Sequence, residues 1–247
     1  MNADVEQAAQ KEERADADRR AKVARWEDCI DVFFSPAELF RRRAQDRVGP
    51  PLVTLLVVAI AVHFALMPAN AMVMRAAVAG NPRAAEALGS FGTLMQVLGA
   101  AFVPIGYLIS ITAVAALLWV GGRMAGVEPG FSRTMLIATY AAFTRPLAEV
   151  ATALLVVLHG EAGLDVVRHG SLGVLRFVGD RGMDPVLVPL LGRLEVFAIW
   201  QAILWAAGVV IICGASRLRA AAIAMVAWAL AAVPGVVGAL LGAAAGR

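Results

Sequence analysis

The chain has 247 residues, 60% hydrophobic and 17% charged, where an ordinary soluble domain has about 45–50% and about 25%. Residues 1–50 hold 10 of the 22 Lys and Arg and 11 of the 19 Asp and Glu, which leaves 20 charges for the remaining 197 residues. That distribution excludes a soluble globular enzyme, a nucleic-acid binder and a disordered chain. It predicts an all-α polytopic membrane protein with a charged helical arm over 1–50 and a transmembrane domain over 51–247.

The net charge of +3 gives no reason to expect nucleic acid, since the arm is nearly neutral and no basic stripe follows it. Arginine outnumbers lysine 20 to 2 and alanine abounds, the mark of a GC-rich bacterial genome, so the expected location is a bacterial inner membrane. Cys29 lies in the arm and Cys213 in an apolar run, and no disulfide is expected between them.

From Asn2 to Phe34 the arm lacks Gly and Pro and is rich in helix formers. Val23, Trp26, Ile30 and Phe33 recur at helical spacing and mark an apolar face. Ser35-Pro36-Ala37-Glu38 then reads as a capping box opening a second helix, which carries Leu39 and Phe40 before Arg41, Arg42, Arg43 and Arg47. Trp26, Ile30, Phe33, Phe34 and Phe40, with Arg41, Arg42 and Arg43, form the candidate interface face. It suits the lipid headgroup layer or a cytoplasmic protein partner, or the arm simply covers the cytoplasmic ends of the bundle.

Crossing the hydrocarbon core takes about 20 apolar residues. Charge-poor stretches place five spans at about Leu52–Val73, Leu94–Val120, Thr134–Gly160, Val196–Ala215 and Ala220–Leu241. No cleavable signal peptide is expected, because the first apolar run begins after about 50 residues. Arginines 41, 42, 43 and 47 precede the first span, which predicts a cytoplasmic amino terminus and, after five crossings, an outer carboxyl terminus.

Arg145 and Glu149 fall inside the third span, one helical turn apart, and are expected to form an internal ion pair. Counting 1.5 Å per residue puts His63, Tyr107 and Ser110 at similar depth. His63, Tyr107, Arg145 and Glu149 are therefore the candidate membrane-embedded polar cluster, of the kind that proton-coupled carriers use. Gly99, Gly106, Gly121, Gly122, Gly235, Gly238 and Gly242 would let helices approach closely, and Gly238-x-x-x-Gly242 is a candidate homo-oligomer contact. His159, Glu161, Asp165 and His169 cluster in the 159–193 loop without a zinc-binding spacing. No metal, cofactor or catalytic motif is expected.

Three segments resemble one family in order and spacing. Phe33-Phe34-Ser35-Pro36-Ala37-Glu38-Leu39-Phe40 is similar to the F-x-S-P-x-x-x-F start of the Yip family of Ypt/Rab-interacting membrane proteins. Tyr140-Ala141-Ala142 before Pro146, and Phe197-Ala198-Ile199-Trp200 before Gly208, resemble its third and fourth spans. The resemblance implies five spans, no known catalytic residues and a role in membrane traffic. The expected function is thus a non-enzymatic membrane adaptor or organiser recruiting a cytoplasmic partner. A small proton-coupled carrier or channel built on the polar cluster is the alternative, and an intramembrane enzyme comes third.

Overall fold

The computed structural model describes residues 27–160, 164–179, 182–184 and 186–245. Trp26, expected on the interface face, lies outside them. The described residues hold helices and one isolated antiparallel bridge, Gly173 to Glu195, with no strand. Two short helices, α1 (Asp28–Phe34) and α2 (Pro36–Arg43), lead into α3 (Gly49–Ala65) and α4 (Met67–Val78). α5 (Pro82–Met124), α6 (Phe131–Ala141) and α7 (Thr144–His159) follow. Then come α8 (Val166–His169), α9 (Leu175–Val178), α10 (Leu187–Gly192), α11 (Val196–Cys213), α12 (Arg217–Leu230) and α13 (Val233–Ala245).

Among the described residues, Gln96–Met124, Phe131–His159, Val196–Cys213 and Arg217–Gly242 are each long and apolar enough to cross a bilayer. The fold is an all-α polytopic membrane protein of four or five crossings. The first expected span is not straight: α3 and α4 meet at a 60° bend. Pro68 sits in the first turn of α4, where it has no N–H to donate and its ring crowds the carbonyl of Phe64. Pro146 breaks the third span in the same way. Between α6 and α7 the chain tightens, with the Phe143 N–H bonded to Tyr140 O and the Arg145 N–H to Ala142 O. The carbonyl of Ala141 accepts from Thr144 Oγ1 at 2.8 Å and from Gln201 Nε2 at 3.4 Å. Backbone freed within a membrane is satisfied by neighbouring side chains, as the low dielectric requires.

The core is built where α11 packs on α6, α12 and α2, and α5 packs on α3, α6 and α12. Trp205, Tyr140, Phe40, Leu39, Leu55 and Ile111 are its largest fully buried side chains. Two arm residues stand in that group, so the arm helices share the bundle's core. The expected interface face of the arm is not one surface: Ile30 and Phe34 are exposed, and Phe40 and Arg43 are buried. On α1 the buried residues are Asp28 and Val32, while Ile30 is 47% and Phe34 82% exposed. Phe33 is half-buried against the core, and Phe40 is fully buried with its ring edge-on to Tyr140 at 6.3 Å. The capping box is also corrected: α2 begins at Pro36, but Ser35 makes no side-chain cap. Its carbonyl accepts from Glu38 and Leu39 instead. At φ −141° and ψ 51° its backbone serves as the corner between the two helices.

Candidate functional site

Two polar assemblies stand out, one at the arm and one inside the bundle. In the arm, Asp28 is buried because two guanidinium groups meet it. Arg43 Nη2 donates to its Oδ2 at 2.7 Å and Arg42 Nη2 to its Oδ1 at 2.7 Å. Arg42 also reaches Asp31 at 2.6 Å, and Arg43 reaches Asp46 at 2.7 Å. Arg43 is only 3% exposed, so it is a lock and not, as expected, part of an interface face; Phe40 is likewise withdrawn from that face. Arg41 stays exposed and Arg42 partly so. The hydrogen bond to Asp31, and after it that to Asp28, lifts the Arg42 pKa above the usual arginine value against the opposing effect of burial.

Inside the bundle, the bend between α3 and α4 borders a cavity of about 600 Å³. His63, Tyr107, Arg145 and Glu149 all line it. The expected direct ion pair is absent: the salt bridges among the described residues do not include Arg145 with Glu149. Tyr107 stands between them. Its hydroxyl donates to Glu149 Oε1 at 3.3 Å, and the Arg145 guanidinium lies 4.4 Å from the centre of its ring. Arg145 Nη1 donates to Ser110 Oγ at 3.0 Å, and His63 Nε2 lies 3.2 Å from Gln96 O. If Tyr107 is the bridge, Tyr107→Phe is expected to cost about 1 kcal/mol of stability, the usual net worth of a hydrogen bond. Glu149→Leu removes the acceptor, so Tyr107→Phe with Glu149→Leu should cost less than the sum of the two single losses in thermal melts. Losses that simply add would show that no shared bond links the two.

A second cavity of about 290 Å³ adjoins the first and shares Arg145, Ala148 and Glu195 with it. Arg193, Gln201, Trp205, Ser110 and Thr144 also line it. Sequence reasoning missed Arg193 and Glu195, which read as loop charges at a span boundary. The bridge between Gly173 and Glu195 folds that loop back on itself. Gly173 is required there, because a Cβ would collide with the carbonyl of Leu194. In the same loop the His159 and His169 rings stack 3.6 Å apart, and His169 Nδ1 accepts from the Asp165 N–H. No group of three or more His, Cys, Asp or Glu able to hold a metal is gathered among the described residues. Gly106, Gly238 and Gly242 face open space, so they do not serve the close packing expected within the bundle.

A family model, described as the Yip1 domain, matches residues 30–238. No curated protein and no solved structure matches the chain. The match runs from within α1 into α13, so it takes in the Pro146 break and both cavities and begins two residues after Asp28 of the arm lock. The chain belongs to the Yip1-domain family of multi-pass membrane proteins, a family linked to membrane traffic.

Proposed function

We propose that the protein is a non-enzymatic membrane adaptor, set in a bacterial inner membrane with its arm in the cytoplasm, and that the arm presents a fixed docking surface to a cytoplasmic protein. The exposure of Phe34 and Ile30 carries this reading, since they stand on a helix whose opposite side is ion-paired into the bundle. A surface held rigid in advance loses less entropy on binding, and aromatic anchors dominate binding energy. Arg41 beside them adds exposed positive charge. Arg123, Arg133, Arg217 and Arg219 gather at the same end of the spans, which favours the cytoplasmic side for that end.

Photocrosslinking from position 34 in living cells tests the reading. One cytoplasmic protein is expected repeatedly, and it should vanish with Ile30→Ser while the melting temperature holds. Adducts with lipid alone would sink the adaptor assignment and make Phe34 a membrane anchor. A second reading, the proton-coupled carrier, draws on the cavity that gathers His63, Tyr107, Arg145 and Glu149. It predicts proton-coupled flux in liposomes that Glu149→Gln abolishes.

A further inference from the structure

The arm shows how this chain pairs charges when they hold the fold together: Asp28, Arg42, Arg43 and Asp46 meet at 2.7 Å. The four charged residues at the joined cavities behave differently. Arg145, Glu149, Arg193 and Glu195 form no salt bridge with one another among the described residues. Arg145 and Glu149 lie at membrane depth, where charge is costly and unpaired charge costlier still. Their positions are also sorted. The smaller cavity is donor-rich, with Arg145, Arg193, Gln201 and Trp205 around it. Trp205 is 1% exposed and its Nε1 has no hydrogen-bond partner. Arg193 Nε and Nη2 are buried without a partner as well. Those two nitrogens form one edge of the guanidinium, the edge that grips a phosphate or carboxylate with two parallel hydrogen bonds. Of the four charges, Glu149 lines the larger cavity alone and Arg193 the smaller alone, while Arg145 and Glu195 line both.

We infer that the joined cavities bind a zwitterion that carries a phosphate and a primary ammonium, the chemistry of a phosphoethanolamine headgroup. The phosphate occupies the lobe of Arg193, Arg145 and Trp205, and the ammonium the lobe of Glu149 and Glu195. Such a ligand neutralises both pairs at once, whereas a plain anion would leave Glu195 beside it unopposed. The assignment does not rest on transport or on the adaptor reading, because it concerns equilibrium binding alone.

The test is native mass spectrometry of the full chain, released from detergent after titration with phosphatidylethanolamine, phosphatidylglycerol or soluble phosphoethanolamine. Preferential retention of a phosphoethanolamine species over phosphatidylglycerol by about tenfold is expected, the worth of one charge-assisted hydrogen bond. Retention of the lipid but not the soluble compound identifies a membrane source, and the reverse identifies a free solute. Glu195→Gln should erase the preference, whereas Arg193→Gln should weaken retention of both lipids alike, because both carry the phosphate. Arg193→Lys, which keeps the charge but loses the two-nitrogen edge, should weaken retention while melting like the parent. Equal retention of the two lipids, retention of neither phosphoethanolamine compound, a preference that survives Glu195→Gln, or retention untouched by Arg193→Gln would overturn the inference.

Discussion

Asp28→Ala is expected to be the most damaging single change in the arm, costing about 3 kcal/mol or more, because it removes the carboxylate that two guanidinium groups share. Arg43 keeps Asp46 but remains buried with less negative charge around it. For a chain of this size that loss lowers the melting temperature by about 6–12 °C. Arg42→Ala should cost under about 1 kcal/mol, since Arg42 is 42% exposed and solvent screens its ion pairs. Replacing both Asp28 and Arg43 by leucine should restore most of the stability, because it is the lone buried charge that is expensive. Cys29 reports the same event. Burial, and after it the neighbouring Asp28 charge, raises its thiol pKa and keeps it protonated and slow toward maleimide. In a Cys213→Ser background, Asp28→Ala should speed Cys29 labelling by removing the charge and loosening the helix together. If Asp28→Ala melts within a degree of Arg42→Ala, the buried pair does not hold the arm.

The sequence made the spans legible because hydropathy is additive along the chain, and a run from Val196 to Cys213 needs no partner to declare itself. It also placed Arg145, Glu149, Tyr107 and His63 near one another, since depth in a bilayer can be counted in residues. It could not tell which residue would stand between two charges. Arg145 and Glu149 are one turn apart on α7, yet Tyr107 from α5 separates them, and that depends on how the two helices are rotated. The arm was misread for a related reason. Apolar periodicity drew Ile30, Phe33, Phe34 and Phe40 onto one interface face, but Phe40 faces the core and Asp28 is buried because Arg42 and Arg43 return from α2 to meet it. A hydrophobic stripe assumes that charges face water, and that assumption fails wherever another element supplies the counter-charge. Arg193 and Glu195 read as charges at the end of a loop, because sequence alone does not show that the start of α11 turns them toward Arg145.

Gly208→Ala is expected to destabilise by about 1–3 kcal/mol although it adds a single methyl group, because α6 and α11 touch there without room to spare. A Cβ at Gly208 would lie 2.6 Å from Ile137 Cγ2 and 2.8 Å from its Cγ1. Ile137 is fully buried and branched at Cβ, so it has little rotamer freedom with which to retreat. Relief must come from separating the two helices. One turn along the same contact, Gln201 on α11 caps the Ala141 carbonyl of α6, and both Gln201 and Ala138 line the smaller cavity. The substitution should therefore lower the melting temperature and weaken binding in that cavity together. Gly238→Ala is the matched control: nothing lies within 4 Å of its would-be Cβ, and in a helix alanine is favoured over glycine by about 0.5–1 kcal/mol. It should melt at or above the parent temperature. If Gly208→Ala and Gly238→Ala melt alike, the two helices are not in the contact described, and the seat of the smaller cavity would have to be sought elsewhere.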